Sequence, residues 1–485
     1  MPPSAPDSQH RHAGLWSPAH RNLTVGLVLT ITLVAFEALA VATIMPIVAR
    51  DLGDSALYGW VFTAAVLGSL VGIVVVGGLI DRTGLVRPFV GGLVLFSIGL
   101  VIGGLAPSME ALVFGRALQG LGGGAIPPIA YVAIGRALPE ELRARMFATL
   151  STAWVLPGVI GPAISGIVAQ TAGWRFVFVG LLPLIAVAGA MTLPAIARSR
   201  PPAPEADARP RVALSRRLPT ALVVTAGAAL VVGGLTDAQL VPGGVLVVVG
   251  LAIGVPAFAR LVPPGTLRVA RGLPAAVLLR GILTFTFFCA DAYVPRALQD
   301  WRGLDAATSG IALTAATLAW TGGAWIQARR FSRVGARRFV TTGFLTVGLG
   351  IVGFALVLSP AVPVAVGVVA WGLAGLGMGL SYSPLSLVVL AEAPAAEQGT
   401  ATSGLQLSDT LGVALGTGVG GALIAGALRG GSELWLGLAA VFAVGIATAL
   451  IGCVLARRLP GPSRPGSSRP GAVRPGEAGT DRGAA

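Results

Sequence analysis

GGLIDRTGLVR, residues 77–87, lies between two long apolar runs and sets one acid and two arginines around a glycine turn. A shorter copy, SRVGARR at Ser332–Arg338, returns 251 residues later. GLGGG at Gly120–Gly124 returns as GLGMG at Gly375–Gly379 with an offset of 255. Gly158, Val159 and Gly166 match Gly412, Val413 and Gly420 at 254, and Glu37 and Asp291 share that spacing. Repetition at nearly one offset across the whole chain predicts two homologous halves arranged as a parallel repeat.

Composition sets the class. The chain has 485 residues, 54% hydrophobic and 11% charged, with a mean hydropathy of +0.83. Apolar runs of about 18 residues or more recur from Leu23 to Leu455, as membrane-spanning helices require. The reading is an all-α integral membrane protein with fourteen transmembrane helices, near 23–48, 58–80, 88–106, 109–134, 146–170, 175–196, 219–236, 242–258, 273–295, 306–327, 339–358, 361–390, 399–427 and 434–456. Two pseudo-symmetric six-helix bundles, 23–196 and 273–456, enclose two inserted helices at 219–258. Residues 1–22 form a polar tail, 197–218 a Pro- and Arg-rich linker, and 457–485 a basic tail too poor in apolar residues to build a core.

All 34 basic residues are Arg. A Walker A phosphate loop needs Lys, so an ATP-driven pump of the standard kind is excluded and no cofactor beyond an ion gradient is implied. The net charge of +14 does not mark a nucleic-acid binder, because the arginines fall between apolar runs. With the N-terminus cytoplasmic, 27 Arg lie in cytoplasmic segments and 5 in outer loops, leaving Arg116 and Arg280 within helices. That asymmetry expects both termini inside a cell membrane, and the Arg-, Ala-, Gly- and Val-rich usage points to a bacterium. His10, His12 and His20 all precede the first apolar run, so no metal site is expected in the membrane. Residues 1–21 lack the apolar core of a signal peptide. Cys289 and Cys453 read as small buried hydrophobes.

Three acids interrupt apolar runs: Glu37 in VLTITLVAFEALAVATIMPIVAR, Asp291 in VLLRGILTFTFFCADAYVP, and Asp409 in SGLQLSDTLGV. A carboxylate at bilayer depth costs about 2.5–3.5 kcal/mol on insertion scales, so it implies function or pairing. Glu37 and Asp291, matched across the halves, point to proton-titratable sites of a secondary transporter. Arg116, two turns inside the fourth helix, needs an anion, and Glu37 is the acid at hand. Its repeat position is Trp371, so the second half lacks that cation. Asp409 reads either as a second titratable site or as hydrogen-bonded to Ser408 or Gln406.

GGLIDRTGLVR resembles the loop signature of the major facilitator superfamily. The resemblance implies a latch that closes the cytoplasmic side. In it Gly77 permits close helix approach and Gly84 the turn. Asp81 sits against the positive N-terminus of the helix beginning near Gly399, and Arg82 and Arg87 pair with Glu140 or Glu141. Ser332 at the second copy makes the latch one-sided. RALQGLGGG, Arg116–Gly124, resembles the family's helix 4 motif. PGVIGPAISG, Pro157–Gly166, resembles the antiporter motif, whose Pro157, Gly158, Gly161, Pro162 and Gly166 imply a bent helix open to close packing by helix 8 or its analogue. Glu37 and Pro46 resemble, loosely, the helix 1 motif of fourteen-helix drug:proton antiporters; Leu39 and Ala42 depart from it.

The expected function is therefore a proton-coupled exporter of amphipathic organic compounds that works by alternating access. An exporter of an endogenous lipid or secondary metabolite is the first alternative, and a membrane sensor or structural protein the second. It is not expected to be an enzyme or to need an obligate protein partner; its partners are substrate, protons and membrane lipid. Proton coupling is assigned to Glu37, Asp291, Arg116 and Asp409. Candidate cavity residues are Gln119, Tyr131, Trp154, Phe288, Trp320, Trp325, Trp371 and Gln406.

Overall fold

A computed structural model describes residues 14–53, 57–198, 214–236 and 240–461. The two expected tails and the linker fall largely outside them. The described residues contain helices and no strands. In chain order the first bundle comprises α1 (Arg21–Leu52), α2 (Tyr58–Thr83), α3 (Val86–Gly104), α4 (Met109–Ala137), α5 (Glu140–Thr152), α6 (Val155–Thr171), α7 (Arg175–Val179) and α8 (Leu182–Ala197). The inserted hairpin is α9 (Leu214–Thr236) and α10 (Leu240–Leu261). The second bundle comprises α11 (Leu273–Asp291), α12 (Val294–Arg296), α13 (Ala306–Val334), α14 (Ala336–Ala355), α15 (Val364–Glu392), α16 (Gln398–Arg429) and α17 (Leu434–Leu455).

Packing repeats with the sequence. α4 lies against α2 and α3, and α15 lies against α13 and α14. α1 packs on α6 and α8, as α11 packs on α16 and α17. The bundles meet where α2 crosses α16 and α5 crosses α13, while nothing comparable joins α1 to α11. The hairpin inserts α9 into the groove between α2 and α16, with α10 outside it. Leu70, Ile73, Val224, Ala228 and Leu407 form the buried seam there.

The repeated glycines explain the helix crossings. A Cβ at Gly120 would strike the Ala65 carbonyl oxygen of α2, and one at Gly124 that of Ser69. A Cβ at Gly375 would strike the Ala316 carbonyl oxygen of α13, and one at Gly379 that of Trp320. GLGGG and GLGMG thus bring backbone to backbone at matching places, as small residues do between helices in lipid. The turn repeats too: Gly84 has φ 76° and Gly335 φ 78°, a conformation L-residues rarely adopt.

Several expectations need correction. Among the described residues, twelve helices are long and apolar enough to span a membrane, or thirteen if the bent fifth segment is one span. Fourteen is not reached, because α13, which buries Gln327 and carries several Thr, is too polar for that criterion. The fifth segment is interrupted after Thr152 into α5 and α6, and it bends further along, within α6, where Glu140–Gly158 and Ala163–Thr171 are inclined at 42°. The sixth breaks after Val179, and the ninth continues past Asp291 through α12 and a π-turn at Ala297–Trp301. Nor is α6 closely packed at its glycines. Nothing lies within 4 Å of a Cβ placed at Gly158 or Gly166, and at Gly161 only Phe36 comes near, at 3.6 Å. The related glycines of α16 are packed hard, Gly412 against Gly281 and Gly420 against Tyr293.

Because backbone cannot yield as a side-chain end can, Gly120→Val and Gly375→Val should each destabilise by about 1–3 kcal/mol or more. Gly158→Val, with open space around it, should leave the melting temperature in detergent near the parent's. Thermal melts of the three variants check this; equal losses would contradict the packing account.

Candidate functional site

Three polar clusters lie within the helices, and a fourth contact closes one end. In the first bundle Arg116 Nη1 pairs with Glu37 Oε1. Arg116 also donates through Nε to the Val61 carbonyl at 3.2 Å, and Gln119 Nε2 donates to Glu37 Oε1 at 3.2 Å. Glu37 and Arg116 are each 5% exposed, so the pair is sealed from solvent. Gln119, expected as cavity wall, is instead a member of this cluster, fixed because it lies one turn beyond Arg116 on α4.

The repeat-related pair in the second bundle is Asp291 and Trp371. Trp371 Nε1 donates to Asp291 Oδ1 at 3.1 Å. An indole N–H thus stands where the first bundle has a guanidinium, and no cation lies within ion-pair distance of Asp291 among the described residues. Trp371 is fully buried, stacked on Phe287 with centroids 5.3 Å apart, so it is scaffold rather than cavity wall.

The third cluster was not legible from the repeat. Arg280, fully buried on α11, lies 3.7 Å from Asp409 Oδ1 through Nε and donates through Nη2 to Ser386. Its guanidinium lies over the Tyr382 ring at 3.4 Å, and Tyr382 donates its hydroxyl to Asp409 Oδ2 at 3.1 Å. Asp409 is held by these groups and not by Ser408 or Gln406 side chains. The second bundle does have a buried cation, therefore, but on α11 rather than at the position of Trp371. Tyr131 of the first bundle faces this cluster and packs edge-on against Phe147. Trp320 contacts Phe287 and Tyr382, and Phe288 contacts Phe287. Gln406 is buried with Oε1 unpartnered. Trp154 is 47% exposed, and Trp325 donates to Thr152 across the bundles at 3.1 Å.

The closed end is built on α16. Asp81 Oδ1 accepts from Gly399 N at 2.7 Å, and Oδ2 accepts from Thr400 N at 2.8 Å and Thr400 Oγ1 at 2.6 Å. These are N-terminal helix amides with no partner of their own in the helix, facing an anion across the bundle interface. Gly77 makes the approach possible, since a Cβ there would strike Ser403. Arg136 donates to the Ala395 carbonyl at 3.3 Å and to Gln398 Oε1 at 3.4 Å, and Arg217 donates to Thr400 Oγ1 at 2.8 Å. Among the described residues no ion pair joins Arg82 or Arg87 to Glu140 or Glu141, contrary to expectation. Those acids occupy the first turn of α5, near Arg143 of their own helix.

Against this geometry stand the comparisons with known proteins. The family model described as Major Facilitator Superfamily matches residues 27–417, and this chain belongs to that family of transporters. A probable multidrug-efflux transporter of Mycobacterium tuberculosis is 27% identical over 448 residues, covering 89% of this chain and 94% of the relative. Multidrug resistance protein 3 of Bacillus subtilis is 34% identical over 171 residues, covering 35% of this chain and 33% of the relative. The crystal structure of a human organic anion transporter shares the fold at a TM-score of 0.66 and 15% identity, covering 91% of this chain and all of that one.

Two expectations follow from the geometry. Removing one member of a buried ion pair costs about 3–5 kcal/mol by stranding the other. Glu37→Gln and Arg116→Gln should each destabilise more than the double variant does, which a double-mutant cycle on detergent melting checks. Asp81→Asn weakens an anion–helix contact worth about 0.3–2 kcal/mol. It should raise labelling of cysteines placed behind the closed end several-fold without unfolding the protein, while Ser332→Asn changes little.

Proposed function

We propose that this protein is a proton-coupled exporter of amphipathic organic compounds, with the Arg-rich end cytoplasmic and both termini inside. The observation that carries the reading is the unequal pair of repeat-related acids. Glu37 is neutralised by Arg116, whereas Asp291 has only the indole N–H of Trp371. A carboxylate with no cation beside it can take up and release a proton without breaking an ion pair, so Asp291 is the coupling acid. Glu37 with Arg116 holds α1 to α4. The efflux name of the mycobacterial relative supports the direction of transport, and the multidrug-resistance name of the Bacillus relative agrees with it.

The arrangement fits alternating access with the outward side open. Asp81, Arg136 and Arg217 close the Arg-rich end, while space remains over the α6 glycines. Protonation of Asp291 from outside removes the charge that keeps the neighbouring interface hydrated. The bundles then close over α6, and the latch at Gly399 and Thr400 opens to the cytoplasm. Substrate loads there, against Tyr131, Trp320 and Phe288, and leaves outward after the proton is lost.

The test uses the purified protein in vesicles with an imposed pH gradient and a fluorescent lipophilic cation as probe. Asp291→Asn should abolish gradient-driven movement, and the double variant Glu37→Gln/Arg116→Gln should retain a measurable part of it. Parent-like, gradient-driven transport by Asp291→Asn refutes the assignment. Failure of every form, the parent included, to respond to the gradient refutes proton coupling.

A further inference from the structure

The inserted hairpin leaves a gap on its own flank. α9 is seated against α2 and α16, and α10 packs along α9, but no comparable packing joins α10 to α11 or α17. Between them lies an apolar cavity of about 400 Å3, lined by residues that include Val231, Leu251, Phe258, Leu278, Phe285 and Ile451. Its lining runs from Val224 to Val231 on α9 and from Gly250 to Phe258 on α10. At 1.5 Å per residue that is a trough about 12 Å deep, enough for the upper part of an acyl chain. Its floor is the tight α11–α16 crossing, where Gly281 meets Ser408.

Four arginines lie toward the Arg-rich mouth of this trough. Arg268 adjoins the lining Leu267. A hydrogen bond from Gly272 N to the Arg458 carbonyl, 3.0 Å long, brings Arg457 and Arg458 beside Arg271. All four are exposed, and none is in an ion pair with a described residue. The nearby Glu392 accepts instead from the backbone of Leu273 at 2.6 Å, capping α11. An apolar trough under a basic rim is complementary to a molecule with a hydrocarbon chain and an anionic head.

We propose that the hairpin groove is a site for one anionic glycerophospholipid, its acyl chain between α10 and α11 and its phosphate among Arg268, Arg271, Arg457 and Arg458. The floor of the site, Gly281 and Ser408, borders the Arg280–Asp409 cluster, but the proposal does not rest on the transport reading. It gives the two inserted helices a role: they make a lipid-lined flank next to α16, the helix that carries the closed end.

The experiment is native mass spectrometry of the purified full chain with added phosphatidylglycerol or phosphatidylcholine of identical acyl chains. The parent should retain one phosphatidylglycerol in clear preference to phosphatidylcholine. Arg268→Gln/Arg271→Gln/Arg457→Gln/Arg458→Gln should lose that preference, each Arg contributing about fivefold. Val255→Trp, which fills the trough and leaves the rim intact, should lose the bound lipid. Arg329→Gln/Arg330→Gln/Arg337→Gln/Arg338→Gln removes as much charge from the same end away from the groove and should retain it. Equal retention of both lipids by the parent, an undiminished adduct in Val255→Trp, or an equal loss in the distant quadruple variant overturns the proposal.

Discussion

Helices in hydrocarbon gain little by burying apolar side chains against one another, because lipid offers the same contact. Close backbone approach and polar pairing must hold them instead. Here that approach is made at glycines on both sides of each crossing, Gly120 and Gly124 on α4 with Gly68 and Gly72 on α2, and Gly375 and Gly379 on α15 with Gly323 on α13, each set against a carbonyl of the neighbouring helix. The polar chemistry rides on the same two helices. α4, pinned to α2, presents Arg116 to Glu37 on α1, and α15, pinned to α13, presents Trp371 to Asp291 on α11.

Once the scaffold is symmetric, its differences carry the function. The same register yields an ion pair in one bundle and an indole–carboxylate contact in the other. The same loop yields an anion at Asp81 and a neutral Ser332. The same glycine pattern is packed in α16 and open in α6. A molecule with two identical halves would have equal preference for its two ends. These three departures give the halves different contacts at matching places, and they leave one acid with no cation beside it among the described residues.

How much of this could be read from the chain depended on how many partners a residue had to choose from. Arg116 was legible because the first bundle offers one buried cation and one mid-helix acid, on elements the repeat had already located. Asp81 was legible because its loop places it at a helix end facing the second half. Asp409 was not, since its holders, Arg280 and Tyr382, come from two other helices, α11 and α15, at positions whose repeat counterparts carry other residues. Nor was the break in the sixth segment, where apolar composition continues across the interruption and only backbone geometry changes; the bend of the fifth, between Gly158 and Ala163, falls where Pro157–Gly166 implied one. Gln119 was misassigned because an amide on a glycine-rich helix face resembles a cavity residue until the neighbouring ion pair is in place. α13 shows the limit of hydropathy: inside a bundle a helix can be polar where it faces other helices, so its mean composition understates its place.

The Asp81 contact has an evolutionary consequence. Two of its three acceptor interactions go to backbone amides, of Gly399 and Thr400, which every residue except proline supplies. Drift in the side chains of α16 can therefore do little to dissolve it, apart from a Cβ at position 399, which would press on Asp81. The vulnerability lies almost wholly on the first-bundle side, at one carboxylate and the glycine that lets it in. Loss of that carboxylate could not be rescued by a compensating charge at the helix end it caps. Suppressors of such a loss should arise elsewhere, among residues that bias the bundles toward the same arrangement by other contacts.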